Sequence, residues 1–308
     1  MSDYKKSLPK QLRYYLLYQL VRFLITVSNS IPRITWLRFC GRLGRLGYPF
    51  AKQTRNLMIK NIGIAFGNEL NADQIRALAK KTFEMLGKNA GDILRATQLA
   101  SAADADKFIV THNLDVYERA VARNKGVVFI TGHMGAFDLQ VTNMALRGAN
   151  PHVIGTPIKD ARLNKLLWDQ RNKHGAVAIE RGKETLKLLK VLKSGGTVGL
   201  LIDQDTKVKS RFVNFFGKPA STPVGATILA MKTGAIVVPT SIYLGDDWKQ
   251  HMTFHPEVPM RDTGDEEADM VYNTQVLTTI LENMIREHPD QWVWLHDRWK
   301  TRPGQEIR

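Results

Sequence analysis

The sequence predicts an α/β protein: one domain with a mixed, largely parallel sheet covered by helices, entered through a basic N-terminal helix. Three observations carry this. From residue 126 onward, short apolar runs alternate with helical stretches, the pattern of buried parallel strands and their crossovers. Hydrophobic residues make up 44% of the 308-residue chain and charged residues 24%, values of a folded globular protein long enough to bury a sizeable core. The net charge is +15, and residues 1–60 hold twelve Lys and Arg against one acid, Asp3, a net +11 in that segment alone.

In the first segment Lys10, Arg13 and Arg22 interleave with Leu12, Tyr15, Leu16, Leu20, Phe23 and Ile25. Such a segment fits a polyanion, either nucleic acid or an anionic membrane. Its Leu and Ile content favours the membrane, and no aromatic–basic stacking pattern or recognition motif for nucleic acid is present. Residues 12–31 have about the length that spans hydrocarbon, with Arg22 in the middle at an insertion cost of roughly 2.5–3.5 kcal/mol. The expectation is a membrane-inserted or interfacial anchor over residues 1–35, without a small-residue cleavage site after it. The alternative is a buried amphipathic first helix of a soluble protein.

After Pro32, residues 36–48 and 51–66 read as helices. Asn71 is the N-cap of a helix over 72–90, because its side-chain oxygen can accept an orphan N–H and Asp73 suits the first turn. Strands are expected at 126–131, 152–155, 177–179, 196–202 and 235–244, with helices at 136–146, 160–174, 183–193, 223–233 and 267–287. No internal repeat or low-complexity linker interrupts this order, so residues 36–308 read as one domain.

Reactive residues of open α/β sheets collect at the carboxyl ends of strands. The run Gly132-His133-Met134-Gly135-Ala136-Phe137-Asp138 follows the 126–131 strand. Its glycines leave space beside the imidazole. A carboxylate five residues on can take the hydrogen bond of one ring nitrogen and leave the other to pull a proton. The alternative is a capping histidine beside an aspartate that only complements a helix dipole. No Ser or Cys lies in the motif, so the histidine would activate a hydroxyl of the substrate itself. A second cluster, Asp203-Gln204-Asp205 followed by Lys207, Lys209 and Arg211, ends the 196–202 strand. Its basic residues disfavour a cation. It reads as a loop contacting an anionic ligand over Phe215 and Phe216, or else as a solvated charged loop. The single cysteine, Cys40, excludes a disulfide framework and a cysteine-built zinc site. No P-loop, G-x-G-x-x-G, H-E-x-x-H or G-x-S-x-G is present, which removes the common nucleotide, zinc-peptidase and α/β-hydrolase readings.

Four segments, in this order, resemble the late acyltransferases of lipid A biosynthesis (lauroyl and myristoyl transferases), relatives of the glycerol-phosphate acyltransferases. They are Thr131-Gly132-His133-Met134-Gly135-Ala136-Phe137-Asp138, the run 199–205, the run 215–223, and the tryptophan-rich run 292–303 with Trp292, Trp294, Arg298 and Trp299. The resemblance implies transfer of a fatty acyl group from an acyl carrier protein thioester to a hydroxyl of a lipid A precursor, at the cytoplasmic face of the cell inner membrane, without metal or other cofactor. Carried over, His133 is the general base and Asp138, where the family commonly has glutamate, orients it. Arg171 serves the oxyanion or grips an acceptor phosphate, with Arg162, Arg181, Lys207 and Arg211 as further substrate-binding candidates. Backbone N–H groups at 135–137 are the other oxyanion donors. Gly132, Gly135, Asp203 and Gln204 support the site, while the tryptophans and Arg298 anchor the last strand and core. A glycerophospholipid, a mannosylated phosphoinositide or another envelope glycolipid is the alternative acceptor. A non-catalytic lipid- or carrier-binding scaffold is the alternative class.

Overall fold

The structure, a computed structural model, describes residues 8–180, 185–305 and 307. Four helices open it: α1 (Leu8–Ser30), α2 (Arg33–Phe50), α3 (Lys52–Phe66) and α4 (Ala72–Arg95). Asn71 caps α4 as its sequence suggests. Its side chain accepts from the N–H groups of Asp73 and Gln74, and the Gln74 side chain accepts from the Asn71 N–H, forming a capping box. Then follow α5 (Ala102–Asp106), β1 (Ile109–His112), α6 (Leu114–Ala122), β2 (Val127–Thr131), α7 (Asp138–Leu146), β3 (His152–Gly155) and α8 (Ala161–Arg171). The remainder is β4 (Val177–Glu180), α9 (Thr185–Lys193), β5 (Thr197–Leu201), β6 (Ser210–Phe215), β7 (Lys218–Pro223), α10 (Gly225–Thr233), β8 (Ile236–Leu244), β9 (Gln250–Phe254) and α11 (Glu266–Glu287).

Seven strands form one sheet in the order β1-β9-β8-β2-β5-β3-β4. Every neighbouring pair is parallel except β8–β9. Alternate side chains of the central strand β2 serve two cores, as the period of a strand requires. Val128 and Ile130 join Val198, Phe215, Leu281 and Trp292 on one face, while Val127 and Phe129 join Tyr117, Leu139, Ile242 and Phe254 on the other. The expected strands are all present. Added to them are the short strands β1 and β9 and the hairpin β6–β7, where a charged loop was expected. Phe216 and Gly217, both left-handed at φ of 52° and 70°, make its two-residue turn. The hairpin lies against α11, whose Gln275 and Glu282 side chains accept from the N–H groups of Asn214 and Phe216. Phe215 and Phe216 are therefore core residues.

Helix α2 runs along α4 with the two backbones in contact. A Cβ on Gly44 would lie 2.1 Å from the Phe83 carbonyl oxygen, and one on Gly87 would lie 2.2 Å from that of Cys40. Arg33 locks the start of α2 to the buried Asp92 through two hydrogen bonds of 2.7 and 2.6 Å. The later part of α1 packs on this pair through Leu24 and Val27, joined by Ile31 just beyond its end. Its earlier part leaves Leu8, Leu12, Leu16, Leu17, Leu20 and Phe23 exposed. Among the described residues no helix is long and apolar enough to cross a membrane, so the spanning form of the expected anchor is not supported.

The α2–α4 contact gives a paired expectation for thermal or urea unfolding. Gly87→Leu forces the helices apart and lowers stability by about 1–3 kcal/mol. Gly47→Ala, where a Cβ meets nothing within 4 Å, raises it by up to about 1 kcal/mol.

Candidate active site

The loop between β2 and α7 holds His133, and two glycines let it lie flat on its neighbours. A Cβ on Gly132 would sit 2.8 Å from Leu281 Cδ1 and 3.3 Å from Asp203 Oδ2. Gly135 has φ of 56°, and a Cβ there would lie 2.2 Å from the Ile242 carbonyl oxygen, so a side chain is excluded by both conformation and space. The C-terminal segment grips the same loop. Gly135 N–H donates to the Gln291 carbonyl (2.9 Å), and Val293 N–H donates to the His133 carbonyl (3.0 Å).

His133 meets Asp203 twice. Its backbone N–H donates to Oδ2 at 2.7 Å, and its ring Nδ1 lies 2.8 Å from Oδ1. The Trp292 indole N–H donates a third bond, to Oδ2 at 2.8 Å. Asp203 is fully buried. Burial pushes its carboxyl up, but the charge and N–H groups of His133 and the indole outweigh this and hold it down to about 2. An ionised carboxylate only accepts, so Nδ1 carries the ring proton and Nε2 is the basic nitrogen. The His133 side chain is 24% exposed, and its ring packs edge-on to Phe137 with centroids 4.9 Å apart. Burial alone would depress the imidazole. The charge and hydrogen bond of Asp203, with the charge of Asp138, raise it above the ordinary 6.5 against the opposing Arg171.

Asp138 differs from the expectation that it takes the ring's hydrogen bond. It opens α7 and is held by Arg171 from the end of α8, with Nε at 2.9 Å and Nη2 at 2.8 Å from Oδ1. It acts on the imidazole through its charge alone. Gly155 makes room for this clamp, since a Cβ there would lie 2.8 Å from Arg171 Nη1. Asp203 reaches the ring because β2 and β5 are parallel neighbours with Thr131 opposite Leu201. Residues two beyond each, 133 and 203, then lie side by side. Strand ends at 131 and 202 were the signal in the sequence. Trp292 reads in the sequence as a core anchor, and nothing local marks its bond to Asp203, 89 positions away.

The remaining candidates are dispersed. Arg162 pairs with Asp160 at 2.9 Å and lies over the rings of Tyr15 and Tyr18 of α1. Arg211 pairs with Glu267 of α11, so neither gathers at His133. Lys207 is exposed on the 202–209 loop, and Gln204 is half-buried beside Asp203. Arg181 lies outside the described residues. Arg298 anchors the core as expected, donating from burial to the Ser221 carbonyl and Thr222 Oγ1. The Gly135 N–H is spent on Gln291, which leaves the 136–138 turn to supply any backbone donors for an oxyanion. Behind Asp138 and Arg171 an apolar cavity of about 50 Å³ is lined by Phe129, Val141, Met144, Val153 and Leu200. It is far smaller than the roughly 150 Å³ that accommodates one benzene.

Comparison with known proteins gives this arrangement its class: the chain is an acyltransferase. It belongs to the bacterial lipid A biosynthesis acyltransferase family, whose model matches residues 4–301. It is 26% identical over 273 residues to the lipid A biosynthesis palmitoleoyltransferase of Escherichia coli (strain K12), covering 86% of this chain and 85% of that protein. It is 25% identical over 307 residues to the lipid A biosynthesis lauroyltransferase of the same organism, covering 94% and 93%. A phosphatidylinositol mannoside acyltransferase of Mycobacterium tuberculosis (strain CDC 1551 / Oshkosh) is 26% identical over 195 residues, 62% of this chain and 60% of that protein. The resemblance carried by the four sequence segments is to this family.

The ring geometry sets an expectation for NMR titration of the imidazole. His133 titrates above 6.5, and Asp203→Asn moves its midpoint down. Trp292→Phe, which removes a donor that stabilises the carboxylate anion, moves it further up.

Proposed function

We propose that this chain moves a fatty acyl group from an acyl carrier protein thioester to a hydroxyl of a lipid A precursor at the cytoplasmic face of the inner membrane. One observation carries the reading. The Nδ1 of His133 is committed to a buried carboxylate, while the partly exposed ring keeps Nε2 for a substrate, and no serine or cysteine lies in its motif. Nε2 takes the acceptor hydroxyl proton as the oxygen attacks the thioester carbonyl. The resulting imidazolium is stabilised by Asp203 through its hydrogen bond and by Asp138 through its field. The tetrahedral oxyanion is met by backbone N–H groups at the start of α7, aided by the dipole of that helix. Collapse breaks the carbon–sulfur bond, and His133 returns the proton to the departing carrier thiol. Arg171 positions Asp138, its fork being spent on that carboxylate. Among the described substrate-binding candidates, Lys207 is exposed and is the cation assigned to an acceptor phosphate.

Membrane association is part of the proposal. The exposed leucines and Phe23 of α1, next to Lys10 and Arg13, form an apolar face with a cationic border. With no helix fit to cross the bilayer among the described residues, α1 lies in the interface, where apolar insertion and attraction to anionic lipid add. A mannosylated phosphoinositide is the second acceptor reading, favoured by the mycobacterial relative. Mass spectrometry of lipids from a deletion strain separates the two, by which species loses an acyl chain.

In an assay with acyl carrier protein donors and lipid A precursors, His133→Ala loses acyl transfer by about 10²–10⁴-fold or more while the protein stays folded. Retained full activity ends the reading. Asp203→Asn costs more than Asp138→Asn, because only Asp203 bonds the ring. The base must be neutral and its pKa is raised, so kcat/KM climbs with pH through a limb above 6.5. In Asp203→Asn the limb moves to lower pH as the rate falls.

A further inference from the structure

The exposed apolar surface is concentrated on two helices. Of the eighteen exposed large hydrophobic side chains among the described residues, twelve lie on α1 and α2. Those on α2 include Leu43 (49% exposed), Leu46 (63%) and Phe50 (86%). Next to them, at the junction of α2 with the first half of α4, lies a groove of about 470 Å³ lined by Arg42, Arg45, Leu46, Tyr48, Pro49 and Lys80. Tyr48 is fixed edge-on to Phe83, with ring centroids 5.3 Å apart.

The charges of this groove are not balanced by the protein. Among the described residues Arg42 and Lys80 make no hydrogen bond or ion pair, and Arg45 reaches a carboxylate, Glu84, only at 3.9 Å. Glu84 is already held by Lys88 at 2.7 Å and approached by Lys81 at 3.7 Å. Three cations drawn into one concavity repel one another unless an anion joins them. A free anion would not call for exposed Leu46 in the lining and exposed Phe50 next to Pro49. We infer that the groove binds the phosphate headgroup of an anionic lipid in the bilayer surface, with Leu46 and Phe50 seated among the acyl chains beside it.

This inference rests on the membrane association proposed above and adds to it a discrete site. The groove is also connected to the candidate active site through α4. Lys80 and Asn89 are nine residues apart on α4, about 14 Å along its axis. Asn89 donates to the Gln291 side chain at 3.0 Å, and the Gln291 carbonyl holds the His133 loop through Gly135. The groove and the support of the His133 loop thus share one helix, α4.

The test titrates the full chain with dihexanoyl-phosphatidylglycerol, kept monomeric, and in parallel with inorganic phosphate. The native chain binds the lipid more tightly than phosphate. R42Q/R45Q/K80Q weakens lipid binding about tenfold or more. K125Q/K190Q/K193Q, with the same charge removed from exposed positions near and on α9, weakens it less than about threefold. Equal losses in the two triple variants, or none in the first, overturn the site, as does phosphate binding as tightly as the lipid. A raised KM for the acyl carrier protein donor in R42Q/R45Q/K80Q, with lipid binding unchanged, assigns the groove to the carrier instead and also overturns it. Flotation with phosphatidylglycerol-containing vesicles keeps the two ideas apart. If the native chain does not float, the membrane reading fails; if both it and R42Q/R45Q/K80Q float equally, only the groove does.

Discussion

An ionised carboxylate sealed inside a protein costs several kcal/mol unless its lone pairs are met, and Asp203 meets that condition with three N–H donors from two other parts of the chain. The backbone and ring of His133 come from the end of β2, the indole of Trp292 from the C-terminal segment, and Asp203 itself from the end of β5. The carboxylate thus joins the sheet to the segment that follows α11. It also decides which ring nitrogen carries the proton. Stability and the proposed proton transfer rest on the same group, and removing any one donor leaves part of a buried charge unanswered.

Around this centre the structure separates two acids by depth. Asp203 is wholly buried and bonds the ring; Asp138 is partly exposed, is clamped by Arg171, and contributes only its field. Both favour the imidazolium, and the guanidinium moderates the effect. Asp138 and Arg171 also line the apolar cavity between the sheet and α7.

Five of the seven main-sheet strands are legible because each is a short, mostly apolar run bounded by turn or helix signals, although β4 at the sheet edge buries only Ile179. The short strands β1 and β9 carry polar residues such as Thr111, His112, Gln250 and His251 and show no such run. The β6–β7 hairpin was hidden because Arg211 and Asn214 sit among its core phenylalanines, and only the turn at Phe216 and Gly217 folds it back. At the site, His133 stood out between glycines at a strand end. The pairing of Asp138 was misjudged because sequence spacing says nothing about Arg171, which arrives from another helix. Arg162 has its acid two residues away, whereas the acid that neutralises Arg211 lies 56 positions on, beyond any local pattern.

The sequence by itself determined the α/β class, the basic apolar entry and the candidate histidine, because these depend on periodicity, composition and the conformational needs of glycine, all local properties. Tertiary structure alone decided which carboxylate holds the ring, that an indole from the far end of the chain steadies it, and that three cations of α2 and α4 line one groove. Those are matters of strand register and helix packing. They arise when residues distant in the chain are brought within hydrogen-bonding reach, and no spacing rule encodes that distance.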